Sequence, residues 1–215
     1  MTDLTVVIAS YKYGHIASHC LESLQSQTIQ PDKILFVDDG IGDCKHLPKI
    51  YPNSYKTGHK HAPIEWVFRE KNIGVVSNFQ DMLERVETKK CMFVGADNWL
   101  RSDAIELLTQ PKTDIVCYDL VVTGPRRHNL KHAYKEKLQP YQGDYYWDRE
   151  GGHHGSMLYN TEMAKKVGGY RGVNGKRSNE DAHLWEDLIK EGATVTHLKE
   201  GLLYYRRHHE NYNYY

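Results

Sequence analysis

The stretch Cys91 to Leu100, CMFVGADNWL, constrains the chain more than any other: a short apolar run stops at one carboxylate, Asp97, set between small residues and Asn98. Cys91, Met92, Phe93 and Val94 have the unbroken apolarity of a strand buried on both faces, and Gly95-Ala96 removes side-chain bulk where that strand would leave its sheet. In open α/β sheets ligands gather outside the carboxyl ends of the strands. A carboxylate held there by a rigid strand can grip a metal ion or a polar substrate. An Asp that only opens a turn or caps the next helix has the same local sequence, because strand-to-helix turns are rich in Asp and Asn. The rest of the chain decides between these readings.

Leu4 to Ala9, LTVVIA, reads as a buried strand broken by Ser10-Tyr11-Lys12-Tyr13-Gly14, and Ile16, Cys20, Leu21 and Leu24 then recur on one helical face. Lys33 to Val37 is a second apolar strand that runs into Asp38-Asp39-Gly40. Two parallel strands joined by a helix form a right-handed βαβ unit, so both strand ends open on the same edge. Ile41 to His61 has no period and reads as a long loop with room for one short helix. Ile64 to Phe68 is a third strand, and Phe79, Met82, Leu83 and Val86 form the stripe of a further helix.

Beyond Asp97, Ser102 or Asp103 is placed to cap a short helix, with Glu106 completing a capping box and Pro111 closing it. Ile115 to Val122 is another strand. Gly124 to Gly155 is polar and aromatic, and a loop of that length in a compact domain is expected to serve function. Thr161 to Val167 reads as a helix stopped by Gly168-Gly169. Asn179 to Glu191 reads as the clearest late helix, with Asn179 as N-cap and Gly192 past its end. Thr194 to Leu198 and Leu202 to Tyr205 are expected as two short strands. The pattern specifies an α/β fold, a mostly parallel central sheet flanked by helices, in one domain over 1–215.

Composition excludes several classes. Lys plus Arg and Asp plus Glu are both 28, so no net basic field recruits nucleic acid. No run approaches the roughly 20 apolar residues of a membrane span, and the N-terminus has no secretory pattern, which together point to a cytoplasmic protein without a transmembrane segment. The four cysteines make no CxxC pair and are expected as reduced thiols. The chain is also expected to be able to continue into a longer multidomain polypeptide after Tyr215.

TVVIASYKYG, SLQSQTIQPDKILFVDDG, KNIGVVSNF, GADN, NEDAHLWEDLIKEG and LLYYRRH occur in this order. Together they resemble the family 2 inverting glycosyltransferases of the GT-A fold, and point in particular to viral members that glycosylate capsids. The resemblance implies a nucleotide-binding half over 1–100 and an acceptor-binding half over 101–215. It implies transfer of a sugar, with inversion, from a nucleotide-diphosphate donor, UDP-linked by default, to a hydroxyl of a glycan or glycoprotein.

It also implies roles residue by residue. Ala9, Ser10 and Tyr11 cradle the pyrimidine, and Asp39 accepts from the base N3–H, a task suited to an acceptor-only carboxylate. Lys71, Asn72 and Asn78 contact the diphosphate and base. Asp97 matches the last Asp of the family's DxD metal motif, although Gly95 or Ala96 stands where a carboxylate is often found. His208 joins it as a ligand, with His209 the neighbouring alternative. One carboxylate suffices for Mn2+ or Mg2+ when waters and phosphates complete the octahedron, and an imidazole favours manganese.

Glu180-Asp181 matches the family's ED motif, whose Asp is the general base. Leu184, Trp185 and Leu188 lie on the same helical stripe as Asp181 and place it on the inward face. A capping Asp, or an ion pair to Arg171 or Arg177, is the alternative. His153, His154 and Trp147 are assigned to the sugar or acceptor pocket; a zinc site at the His pair lacks well-spaced further ligands. Two rival functions stay open: a nucleotidyltransferase, for which IASYKYG is a poor phosphate loop, and a non-catalytic sugar-binding module of the same fold.

Overall fold

The computed structural model describes residues 2–52, 61–123, 139–141 (backbone only), 156–172, 180–206 and 208. Expectations for Trp147, His153, His154, Arg177, Asn179 and His209 lie outside these residues.

The strands are β1 (Leu4–Ser10), β2 (Lys33–Asp38), β3 (Ile64–Phe68), β4 (Lys90–Gly95), β5 (Trp99–Leu100), β6 (Ile115–Thr123), β7 (Gln139–Tyr141), β8 (Met157–Asn160) and β9 (Val195–Arg206). The helices are α1 (Ala17–Gln25), α2 (Leu47–Ile50), α3 (Val75–Glu84), α4 (Ala104–Thr109), α5 (Thr161–Lys166) and α6 (Glu180–Lys190). One sheet runs β3-β2-β1-β4-β8-β6-β9-β5, with β7 paired to β6.

The β1, β2, β3 and β4 block is parallel throughout. The second half is not: β8 lies antiparallel to both β4 and β6, β5 to β9, and β7 to β6. The sheet is therefore mixed, and its long ladders are the parallel ones, in keeping with the expected mostly parallel sheet. Because β8 inverts the chain between β4 and β6, β6 and its parallel neighbour β9 point the same way as β4. Their carboxyl ends share one edge.

Side chains alternate across the strands. Val6, Ile8, Ile34, Phe36, Met92 and Val94 pack with α1 and α4, while Val7, Leu35, Val37, Cys91 and Phe93 pack with α3, α5 and α6. This gives helices on both faces of a buried sheet, and explains why the first strands read as continuous apolar runs. All four cysteines are buried free thiols, and burial pushes Cys91 up to about 12, so it stays an unreactive core group.

Several local expectations change. The two short strands over 194–205 are a single β9, in which polar Lys199-Glu200-Gly201 makes a register shift and not a turn. The capping box is absent: Arg101 holds the Asp103 carboxylate at 2.5 Å, and Glu106 accepts from Thr28 Oγ1 at 2.8 Å. Asn160, unnoticed in the sequence, caps α5 by accepting from the Met163 N–H at 3.1 Å. Past α6, Gly192 has φ +90° and the Ala193 N–H reaches back to the Leu188 carbonyl at 3.0 Å, the expected glycine stop.

Candidate active site

The site is built from loops at the carboxyl edge. After β2 the adjacent carboxylates divide their work. Asp38, fully buried, accepts from the backbone N–H groups of Ile41, Gly42 and Cys44 and so folds the loop. Asp38, Asp43 and Cys44 form a group close enough to hold an ion, but Asp38 is spent on those amides and Asp43 on the Gly14 N–H at 2.9 Å. Asp39 faces the other way, accepting from Ile73 N–H at 3.2 Å with Arg69 at 3.5 Å. Burial is the main cause that raises its carboxyl above the ordinary range, partly offset by the Ile73 bond and the Arg69 charge.

Ala9, Ser10 and Tyr11 lie beside this loop. The Ala9 carbonyl accepts from the Ala96 N–H and the Ser10 carbonyl from the Asp39 N–H, both at 2.9 Å, so these groups tie the β1, β2 and β4 loops together. Tyr11 is 40% exposed with the Lys12 ammonium 5.2 Å from its ring centroid, leaving an aromatic surface on which a flat base can stack.

Lys71 and Asn72 are exposed, Asn72 folding onto the Gly74 N–H at 2.8 Å. Asn78 is buried on α3 and its amide oxygen accepts from Arg69 Nε at 2.9 Å. Arg69 also reaches Asp81 at 2.6 Å. Sequence reading missed Arg69, because its partners are brought to it from β2 and α3 and leave no local pattern.

Asp97 is 6% exposed in the loop between β4 and β5. A Cβ added to Gly95 would lie 2.6 Å from Asp97 Oδ1, so a side chain there would require the Asp97 carboxylate to shift from the place it holds. His208 lies beside Asp97, its Nε2 3.1 Å from Asp97 Oδ2. The two groups are at hydrogen-bonding distance, and neighbouring ligands of an octahedral ion with bonds of about 2.1 Å also stand about 3 Å apart, so this carboxylate oxygen and imidazole nitrogen are compatible with one manganese-type ion. The donor set fits.

On the opposite side of the sheet, α6 packs Leu184, Trp185 and Leu188 into the core and returns the chain to the start of β9. Its first turn therefore lies toward the carboxyl edge. Here the expected burial is corrected. Glu180 is the buried member, 8% exposed, and Asp181 is half-buried at the flank, because the inward stripe runs through Glu180, Leu184 and Leu188. Burial raises the Glu180 carboxyl, and the Asp181 charge adds to the rise. Asp181 Oδ1 accepts from the Ala182 N–H at 2.9 Å. Arg171, one of the ion-pair alternatives, binds Asp187 at 2.8 Å.

The family model of glycosyl transferase family 2 matches residues 5–168. The chain belongs to glycosyl transferase family 2. A curated relative, the teichoic acid poly(glycerol phosphate) polymerase of Staphylococcus epidermidis, is 31% identical over 105 residues, 49% of this chain and 14% of that protein. Among solved structures, S. aureus TarS fragment crystals superpose with a TM-score of 0.67 at 16% identity, covering 94% of this chain and 60% of theirs. The same fragment with UDP-GlcNAc gives 0.69 at 15% identity, over 97% of this chain and 59% of that one. The mannosyltransferase PcManGT of Pyrobaculum calidifontis, with GDP-Man and Mn2+, gives 0.65 at 13% identity, over 99% and 58%. These likenesses establish a GT-A-like fold. None of these relatives supports the expected kinship with capsid-glycosylating viral members. The family 2 domain thus spans a small part of its curated relative and less than two thirds of these solved chains.

Among the described residues no helix is long and apolar enough to cross a membrane.

Proposed function

We propose that this family 2 domain is a metal-dependent inverting glycosyltransferase, which moves a sugar from a UDP-linked donor to a hydroxyl of a glycan or glycoprotein. The observation that carries the reading is the Asp97–His208 pair, 3.1 Å apart on the edge where the β2 loop presents Asp39. The UDP and UDP-GlcNAc complexes of TarS and the GDP-Man and Mn2+ complex of PcManGT support a nucleotide-sugar donor and a divalent ion.

In this reading Asp39 fixes the base edge while Tyr11 stacks on the base, and Lys71 and Asn72 reach the donor from their exposed turn. Asp97 and His208 would hold Mn2+ or Mg2+, which when bound neutralises charge on the leaving diphosphate. Asp181 takes the acceptor proton as the hydroxyl attacks the anomeric carbon from the face opposite the nucleotide, and a single displacement from that face inverts the centre. Its half-buried position suits the task, since a base must meet an incoming hydroxyl. Glu180, buried beside it, would set the acceptor side of the pocket; Trp147, His153 and His154 keep that assignment from sequence alone.

The test is a panel of nucleotide sugars screened by thermal shift with and without manganese, since a true donor stabilises the folded state by mass action. The expected result is a manganese-dependent shift with a UDP-sugar that Asp97→Ala abolishes while its own melting temperature stays near the parent's. A variant that keeps the full shift would reduce Asp97 to a turn residue. His208→Ala should weaken manganese more than magnesium, because an imidazole ligand favours the former.

A further inference from the structure

We propose that Arg206 is the positioning residue of the Asp97–His208 pair, a latch closed from β9 onto the loop after β4 that sets the separation of the two donor groups. The inference rests on the reading of that pair as a metal site.

Arg206 binds the loop through its backbone N–H and its Nε. Its backbone N–H donates to Asn98 Oδ1 at 2.9 Å, and its Nε donates to the Asp97 carbonyl, also at 2.9 Å. Its Nη2 lies 2.9 Å from His19 Nδ1 on α1, which tethers the latch to the helix that follows the first strand. The guanidinium carbon is 4.7 Å from the Trp99 ring centroid, and Trp99 is itself stacked on His19 at 4.4 Å and on Tyr204 at 5.2 Å. A planar guanidinium that is stacked and hydrogen-bonded together is held in direction as well as in place.

Two residues later His208 comes back to the Asp97 carboxylate, with the Tyr13 ring edge-on to it at 5.5 Å. Arg206 and His208 are therefore each tied to 97–98. What Arg206 bonds is the Asp97 carbonyl; the carboxylate Oδ2 faces His208. The residue thus orders the ligand-bearing backbone through the Asp97 carbonyl.

Electrostatics and positioning make opposite forecasts, which is what makes the idea testable. A fixed positive charge beside a cation site repels the cation, so by Coulomb's law alone removing Arg206 tightens metal binding. If Arg206 positions the ligands, removing it loosens binding, and partners that orient metal ligands are typically worth about 10- to 100-fold in metal affinity. Manganese affinity would be read by electron paramagnetic resonance at saturating UDP, with metal-free UDP affinity by calorimetry and melting temperature on the same samples.

Arg206→Ala is expected to weaken manganese by about tenfold or more while metal-free UDP affinity holds within about twofold. Arg206→Lys, which keeps the charge but loses the stacked fork, should resemble Ala and not the parent. Manganese affinity equal to or tighter than the parent's would overturn the latch. So would a collapse of metal-free UDP affinity, which would make Arg206 a phosphate ligand. Should Arg206→Ala fail to fold, Asn98→Ala removes the backbone tether alone, and its manganese affinity should fall in the same direction; an unchanged value overturns the proposal. A parent chain that binds no manganese with UDP overturns the metal reading and the latch together, whereas a parent that binds while its variants match it overturns the latch alone.

Discussion

Arg69 stands 3.5 Å from the Asp39 carboxylate while its Nε donates to the amide oxygen of Asn78 at 2.9 Å. One cation from the end of β3 thereby fixes the residue proposed to read the base, and is fixed in turn by α3. Asp39→Ala should raise the Michaelis constant for donor by about one to two orders of magnitude, the worth of a hydrogen bond to a charged group, and spare turnover at saturation. Base recognition is made equally in ground and transition states, so its loss does not touch the chemical step. Arg69→Ala should give the same pattern in weaker form. Steady-state kinetics over a wide donor range checks both, and a loss of saturated turnover in Asp39→Ala would remove it from base recognition.

Gly40 explains why the acidic pair ends in glycine. Its φ is +86°, and an added Cβ would meet the Lys71 carbonyl carbon at 2.2 Å and the Asn72 nitrogen at 2.3 Å. The β2 loop and the 71–74 turn, which carry proposed donor contacts, touch through the bare α-carbon. Gly40→Ala should therefore cost roughly 1–3 kcal/mol for the left-handed backbone, and more for the displaced peptide. Urea unfolding measures it; a variant as stable as the parent would show that the two loops separate freely.

How much of this was legible follows from where the information lies. Strands buried on both faces write themselves as apolar runs, and β1, β2, β3, β4 and β6 were read to within a residue or so at each end. Punctuation at their carboxyl ends was equally plain in DDG and GADN, and in DDG the glycine is needed because its backbone is left-handed and packed against the 71–72 peptide. What failed was either ambiguous locally or depended on partners from other elements. The Asp103 cap lost its carboxylate to Arg101, β9 read as two strands because a bulge and a turn share Lys199-Glu200-Gly201, and β8 is too short for its period to count. Arg69 and Arg206 act through contacts between separate elements and loops. The YRRH pattern drew attention to His208, but not to the arginine that ties that segment to Asp97 and Asn98.

Glu180 supplies a pH test. Its carboxyl is raised above the ordinary value of 4.5, first by burial. The folded state therefore holds the proton more tightly than the unfolded state. That contribution to stability is complete below the unfolded value and is lost as pH rises through the raised folded value, so the parent pays a growing penalty above 4.5. Glu180→Gln carries no charge to bury. The melting temperatures of parent and variant, compared from about pH 4 to about pH 8, should diverge in the variant's favour as pH rises. A difference that stays constant across the range would mean that Glu180 is not held against its burial.

Asp181 is the residue on which the chemistry turns, and its half-buried place at the flank of α6 makes the forecast sharper than full burial would. A fully buried carboxylate would lose stability on any change, and a kinetic defect could then be structural. At the flank, Asp181→Asn keeps the shape and the local hydrogen bond to the Ala182 N–H while removing the ability to take a proton. Donor and metal affinity, set by loops on other strands, should stay near the parent's. Transfer to the acceptor should fall by about two to four orders of magnitude, the range a positioned general base contributes. A purely structural Asp181 gives the reverse, a loss of about 1 kcal/mol or less with saturated turnover intact. Turnover, donor affinity and melting temperature measured on one preparation separate the outcomes, and a variant with normal turnover would move the base to Glu180 or to the His153-His154 pair.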